Sequence, residues 1–134
     1  RRKDMNTMSK QIIHTENAPK AIGPYSQAVK MGNFLFTSGQ LGINPLIGKL
    51  EEGVEKQAHA AMKNLGAILK EAGLDYANIV KTTIFVQDLA DFAAVNAVYE
   101  SYFEGAFPAR SCVQVAALPL KGLVEIECIA ALGE

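Results

Sequence analysis

Between Val54 and Ala72 the apolar residues recur at steps of three and four: Val54, Ala58, Ala61, Met62, Leu65, Ile68, Leu69 and Ala72. That spacing predicts one apolar stripe on a helix of about five turns. Such a stripe needs a surface to cover it. Gly73 stands where a left-handed C-terminal cap belongs, and Leu74 follows it for the hydrophobic contact that closes such a cap. The period then changes. Ile79 to Val86 is β-branched, and Leu123 to Leu132 alternates apolar with polar residues, so each reads as a strand. A long amphipathic helix among strands predicts a layered α+β domain.

The remaining segments fit that layer. Gln11 to His14 can form a short strand. Ala28 to Met31 and Phe34 to Ser38 bracket Gly32-Asn33, a two-residue turn signal that predicts a hairpin. Gly39 to Gly53 reads as a loop, with Asn44-Pro45 as a turn initiator. Asp88 or Asp91 caps a second helix running to about Phe103, whose apolar side is Phe92, Val95, Val98, Tyr99 and Tyr102. Ala109 to Val115 is a further strand, joined to the last one through Leu118-Pro119-Leu120. The expected order is β-β-α-β-α-β-β, two helices on one sheet. Residues 1–7 read as a polar leader and residues 8–134 as one domain, with Met8-Ser9-Lys10 resembling a natural start.

Composition narrows the function classes. With 49% apolar and 20% charged residues, a disordered or polar linker protein is excluded. A domain of this size buries only about 65% of its unfolded surface, so the apolar content points to further burial between subunits. The net charge is −1, and the four charges of the first seven residues leave −3 for the rest. Nucleic acid and anionic membranes are therefore poor partners for the body as a whole. The longest uncharged run, Met31 to Gly48, carries four Gly and Pro45 and is no membrane span. Two Cys and two His lack zinc-ligand spacing and disulfide density. The expectation is a reduced, cytoplasmic protein without a metal or organic cofactor.

Beyond the leader there are nine Lys and one Arg, Arg110. A guanidinium offers a planar fork for carboxylate or phosphate, which an ammonium group does not. Arg110 opens what reads as an apolar strand, so it either clamps an anionic ligand or pairs with Glu125, Glu127 or an acid of another subunit. Glu125 and Glu127 lie two apart on a strand, hence on one face and roughly 6.5–7 Å from each other. They can serve acid–base chemistry or simply meet water. Cys112 shares the Arg110 face, as a nucleophile or as a small buried residue. Lys56, Lys63 and Lys70 recur every seven residues, an RNA-facing stripe or a solvated helix face. Phosphate-loop and nucleophile-elbow patterns are absent.

Six stretches, in this order, resemble the RidA (YjgF-type) family of enamine/imine deaminases: Ala21-Ile22-Gly23-Pro24-Tyr25-Ser26-Gln27, Thr37-Ser38-Gly39-Gln40, Ile79-Val80-Lys81-Thr82-Thr83, Asp91-Phe92-Ala93-Ala94-Val95-Asn96, Pro108-Ala109-Arg110-Ser111-Cys112-Val113 and Val124-Glu125-Ile126-Glu127. The resemblance spans Met8 to Ala131. It implies a chorismate-mutase-like α+β fold assembled as a homotrimer, with a central barrel of sheets and active sites between subunits. It implies hydrolysis of 2-iminopropanoate and 2-iminobutanoate, products of pyridoxal-phosphate dehydratases, to 2-keto acids and ammonia, with no metal or cofactor. It implies that Arg110 clamps the substrate carboxylate and Glu125 activates water. It implies as well that backbone around Gly39 and Cys112 contacts substrate and that Tyr25, Ser38 and Asn96 line the pocket.

Ala117 departs from the second Arg that many members carry there, Cys128 replaces a more usual Ala, and the segment from Phe103 to Phe107 is short. Endoribonuclease or translation-inhibitor activity, also associated with the family, and a non-catalytic small-molecule regulator are the alternative functions. The presence of Glu125 favours the enzyme.

Overall fold

The computed structural model describes residues 9–133, so the leader expected at 1–7 lies outside the described residues. The chain runs β1 (Gln11–Ile13), β2 (Ala28–Met31), β3 (Phe34–Thr37), β4 (Gln40–Leu41), β5 (Ile43–Asn44), β6 (Lys49–Leu50), α1 (Val54–Glu71), β7 (Ile79–Val86), α2 (Phe92–Glu100), β8 (Ala109–Gln114) and β9 (Val124–Ala131). It is an α+β layer of two helices on one mixed sheet, in the order β1-β2-β3-β9-β7-β8, with β4 also paired to β9. All pairs are antiparallel except β7–β8, the two strands joined through α2.

Local chemistry explains the elements. Helix α1 ends in a Schellman cap: Gly73 has φ +79°, its N–H donates to the Lys70 carbonyl, and the Leu74 N–H donates to the Leu69 carbonyl. Met62, Leu65, Ile68 and Leu69 are fully buried against Leu35, Ile84, Val86, Val124 and Ile126. Each such side chain contributes about 1.5–3 kcal/mol by leaving water. Gly32, at φ +60°, turns the β2–β3 hairpin.

Three expectations need correction. The loop from Gly39 to Gly53 contains three two-residue strands, too short to show any alternation. The second helix ends at Glu100 rather than near Phe103; of its two candidate caps, Asp91 stands at the N-terminus of α2 without a side-chain cap bond, and Asp88 caps the short 3-10 turn before it, accepting from the Ala90 N–H. Strand β8 is an edge strand with mostly exposed residues, not an apolar core strand.

The helices cover one face only. On the other, Met31, Phe34, Phe36 and Val113 remain more than a third exposed. Among the described residues nothing covers that apolar sheet face.

Candidate active site

Glu125 sits where the sheet is interrupted. Strand β3 pairs with β9 at Phe36↔Ile129 and β4 pairs with it at Gln40↔Ile126, so the register slips by one residue across Ser38-Gly39. The Ser38 hydroxyl donates to the Ser26 carbonyl at 2.6 Å, which fixes this break rather than leaving the hydroxyl free. Gly39 is small for a reason: a Cβ there would lie 2.7 Å from the Glu125 carboxyl carbon. The carboxylate thus lies across the Gly39 backbone, half-buried. Burial, and then the like charge of Glu127 on the same face, push its pKa above the usual glutamate value.

Beside it opens a cleft of 330 Å³, walled by Ile22, Tyr25, Gly39, Leu120 and Glu125, with Lys20 at its rim. Buried Gln27 holds one wall. Its Oε1 accepts from the Thr15 N–H at 2.7 Å, and its Nε2 donates to the Thr15 and Pro19 carbonyls. Gln57 holds the other, accepting from the Leu123 N–H and donating to the Glu51 carbonyl. That second wall carries two consecutive non-glycine residues in the left-handed region, Leu120 at φ 60° and Lys121 at φ 61°. Backbone of this kind costs about 1–2 kcal/mol per residue.

Arg110 lies elsewhere. In parallel register with Thr82 it points to the helix side of the sheet, whereas Glu125, opposite Phe85, points to the uncovered side. Strand β7 also separates them. Arg110 lines a second cleft of 400 Å³ with Asn96, Tyr99, Glu100, Phe107 and Pro108. Its Nη1 donates to Asn96 Oδ1 at 2.6 Å, and its guanidinium lies over the Phe92 and Tyr99 rings. Among the described residues no carboxylate pairs with it; the one ion pair is His14–Glu16. The pairing with Glu125 or Glu127 left open by the sequence therefore does not occur within the chain.

Cys112 does share the Arg110 face, packed against the core. Burial raises its thiol pKa and the Arg110 charge pulls it back. Among the described residues no group of three or more His, Cys, Asp or Glu side chains is placed to hold a metal ion. Sequence reasoning brought in Tyr25, Gly39 and Glu125 at one cleft and Asn96 and Arg110 at the other. It missed Leu120, whose left-handed backbone leaves no sequence signal, and Phe92 and Tyr99, whose spacing from Asn96 on one helix is a signal that was available.

The site is thus a small α+β layer that carries, at two separate clefts, a half-buried glutamate and a guanidinium with no carboxylate partner among the described residues. The model of the family described as Endoribonuclease L-PSP matches residues 15–132. Reactive Intermediate Deaminase A, chloroplastic, of Arabidopsis thaliana is 53% identical over 128 residues, covering 95% of this chain and 68% of that protein. A 2-iminobutanoate/2-iminopropanoate deaminase of Capra hircus is 52% identical over 130 residues, covering 96% and 95%. The crystal structure of E. coli TdcF with bound serine superposes with a TM-score of 0.89 at 45% identity, covering 92% of this chain and 99% of that one. The chain belongs to the Endoribonuclease L-PSP family, among its Rid proteins.

Proposed function

We propose that this protein hydrolyses 2-imino acids, 2-iminopropanoate and 2-iminobutanoate among them, to 2-keto acids and ammonia. We further propose that it does so in sites shared between the subunits of a homotrimer. The carrying observation is that Arg110 and Glu125, each beside a cleft and neither ion-paired among the described residues, face opposite sides of one sheet. That opposite facing supports a site in which two copies bring them to one small substrate. The uncovered apolar face supplies the surface for that association.

The chemistry asks little of the protein. An imine protonated at nitrogen is already electrophilic. Arg110 holds the carboxylate by its fork. Glu125, with its raised pKa, takes a proton from water as the oxygen attacks C2. Glu125 hands that proton to nitrogen, the C–N bond breaks with its electron pair leaving on ammonia, and the remaining hydroxyl proton passes to Glu125 as the carbonyl of the 2-keto acid forms. Tyr25, Gly39 and Leu120 bound the space around the reacting carbon, and the outer edge of β8 offers backbone groups beside Cys112. The names of the Arabidopsis and Capra relatives support the reaction.

The test is a coupled assay in which a serine/threonine dehydratase generates the imine and ammonia release is followed with and without this protein. Acceleration lost in Glu125→Gln supports the reading; no acceleration by the wild type overturns it. Phe36→Asp, on the uncovered face, should dissociate the trimer in sedimentation, and a fully active monomer would refute the shared site. A ribonuclease reading has the family's description behind it, with Lys56, Lys63 and Lys70 as the basic face. RNA cleavage that survives repurification and is lost on replacing those three lysines by Gln would favour it. A cytoplasmic location belongs to the same proposal. Both cysteines are free, and no helix of the described residues is long and apolar enough to cross a membrane.

A further inference from the structure

Helix α2 presents Phe92, Asn96 and Tyr99 along one face, at steps of four and three. All three are committed to one side chain. The Arg110 guanidinium carbon lies 5.2 Å from the Phe92 ring centroid and 5.3 Å from that of Tyr99, while Asn96 Oδ1 accepts from Nη1 at 2.6 Å. Tyr99 is itself immobilised. It is 4% exposed, its ring packs 4.9 Å from Phe103, and its hydroxyl meets that of Thr82, a fully buried residue of β7, at 2.7 Å. A free arginine side chain on an exposed edge strand would sample many rotamers. This one is held from two aromatic rings and one carbonyl.

We infer that the Phe92–Asn96–Tyr99 face of α2 is a cradle that aims Arg110, and that Asn96 is a positioning residue serving the guanidinium rather than a contact of the substrate. The inference rests on the proposed role of Arg110 as carboxylate clamp and adds how its geometry is set. Asn96 occupies one of the five N–H donors, leaving the rest of the fork for an anion. The rings hold the plane without competing for it, since they offer π-faces and no carboxylate. An acid at position 96 would pair with Arg110 instead and spend the charge that the ligand needs. The other groups facing the guanidinium, Cys112 on β8 and Glu100 at the rim of the cleft, make no ion pair with it. The Thr82–Tyr99 hydrogen bond ties the cradle to the central strand β7, so the clamp is referenced to the sheet rather than to a loop.

The experiment compares calorimetric binding of 2-ketobutyrate with that of its neutral amide. Aim at the carboxylate should appear as preference for the anion, a quantity that general loosening of the fold would not change selectively. In the wild type the anion should bind at least about tenfold more tightly than the amide. Tyr99→Leu should cut that preference about tenfold, with amide binding retained, and Tyr99→Phe, which keeps the ring, should restore most of it. Asn96→Asp, a near-isosteric change at a half-buried position that does not depend on refilling the core, should abolish the preference.

If Asn96→Asp and Tyr99→Leu keep the wild-type preference, or lose anion and amide affinity in parallel, the cradle is refuted. A wild type with no preference for the anion would instead overturn the clamp role of Arg110 itself. The two failures are thus told apart.

Discussion

Replacing Gly39 by alanine isolates the placement of Glu125 from its chemistry. The backbone at Gly39 is outside the left-handed region, so alanine can adopt it. The added methyl group would lie 2.7 Å from the Glu125 carboxyl carbon, 2.9 Å from its Cγ and 3.0 Å from Oε2. Carbon atoms rest about 3.5–4.0 Å apart, so the carboxyl end must retreat by roughly 1 Å. The colliding atoms are the far end of a flexible, half-buried side chain, which can swing toward the cleft. Stability should therefore change by no more than about 1 kcal/mol, the lost position being offset by the lower entropy of the unfolded chain. The melting temperature should stay within about 5 °C of the wild type. Catalysis should not be spared, because a 1 Å misplacement of a reacting group costs about 100-fold, or close to 2.7 kcal/mol of barrier. The assay is steady-state ammonia release from imine generated in situ, with calorimetric melting on the same sample. An alanine variant that melts normally and turns over at the wild-type rate would show that catalysis does not depend on where the Glu125 carboxylate sits.

Glu125→Gln should lose about 10²–10⁴-fold in kcat, whereas Glu127→Gln should be much milder and should move the acid limb of kcat/KM to lower pH by removing a like charge; pH–rate profiles decide. The raised pKa also has a stability sign. The folded chain keeps a proton on Glu125 where the unfolded chain has lost it, so stability falls as pH rises from the ordinary value of 4.5 through the raised one. Melting should show Glu125→Gln gaining on the wild type at neutral pH, a gain that disappears by about pH 3.5. Arg110→Lys keeps the charge but loses the fork, and should retain less than about a tenth of kcat/KM while circular dichroism stays unchanged. The Cys128 thiol, pushed up to about 12 by burial, should resist iodoacetamide at neutral pH until the chain is unfolded, as read by mass spectrometry.

The parts of the fold legible in the sequence are those with a period long enough to repeat. The α1 stripe, its Gly73 cap, the Gly32-Asn33 hairpin and the alternation of β9 each carry their own local signal. Strands β4, β5 and β6 do not, because two residues have no period and their pairing is decided by β9 and by each other. Strand β8 was misjudged for a related reason: whether Ala109–Gln114 is a central or an edge strand depends on sheet order, which no short segment encodes. At the site, the pairing of Glu125 with Glu127 on one face followed from strand geometry alone. The setting of Arg110 did not. Its neighbours Phe92, Asn96 and Tyr99 come from another element, and the face it occupies follows from the parallel register with β7.

The opposite facing of Arg110 and Glu125 has a consequence for stoichiometry. In a trimer with shared sites, each chain lends its arginine to one site and its glutamate to another. A chain lacking both would silence both of the sites it helps to build, two of the trimer's three, so a defective copy acts beyond its own share. Conversely, two dead proteins can mend each other. If Arg110→Lys and Glu125→Gln chains are unfolded together and refolded as mixed trimers, about a quarter of the sites receive both native residues by chance alone. Activity reborn from two inactive parents would be the signature of a catalyst that no single chain contains.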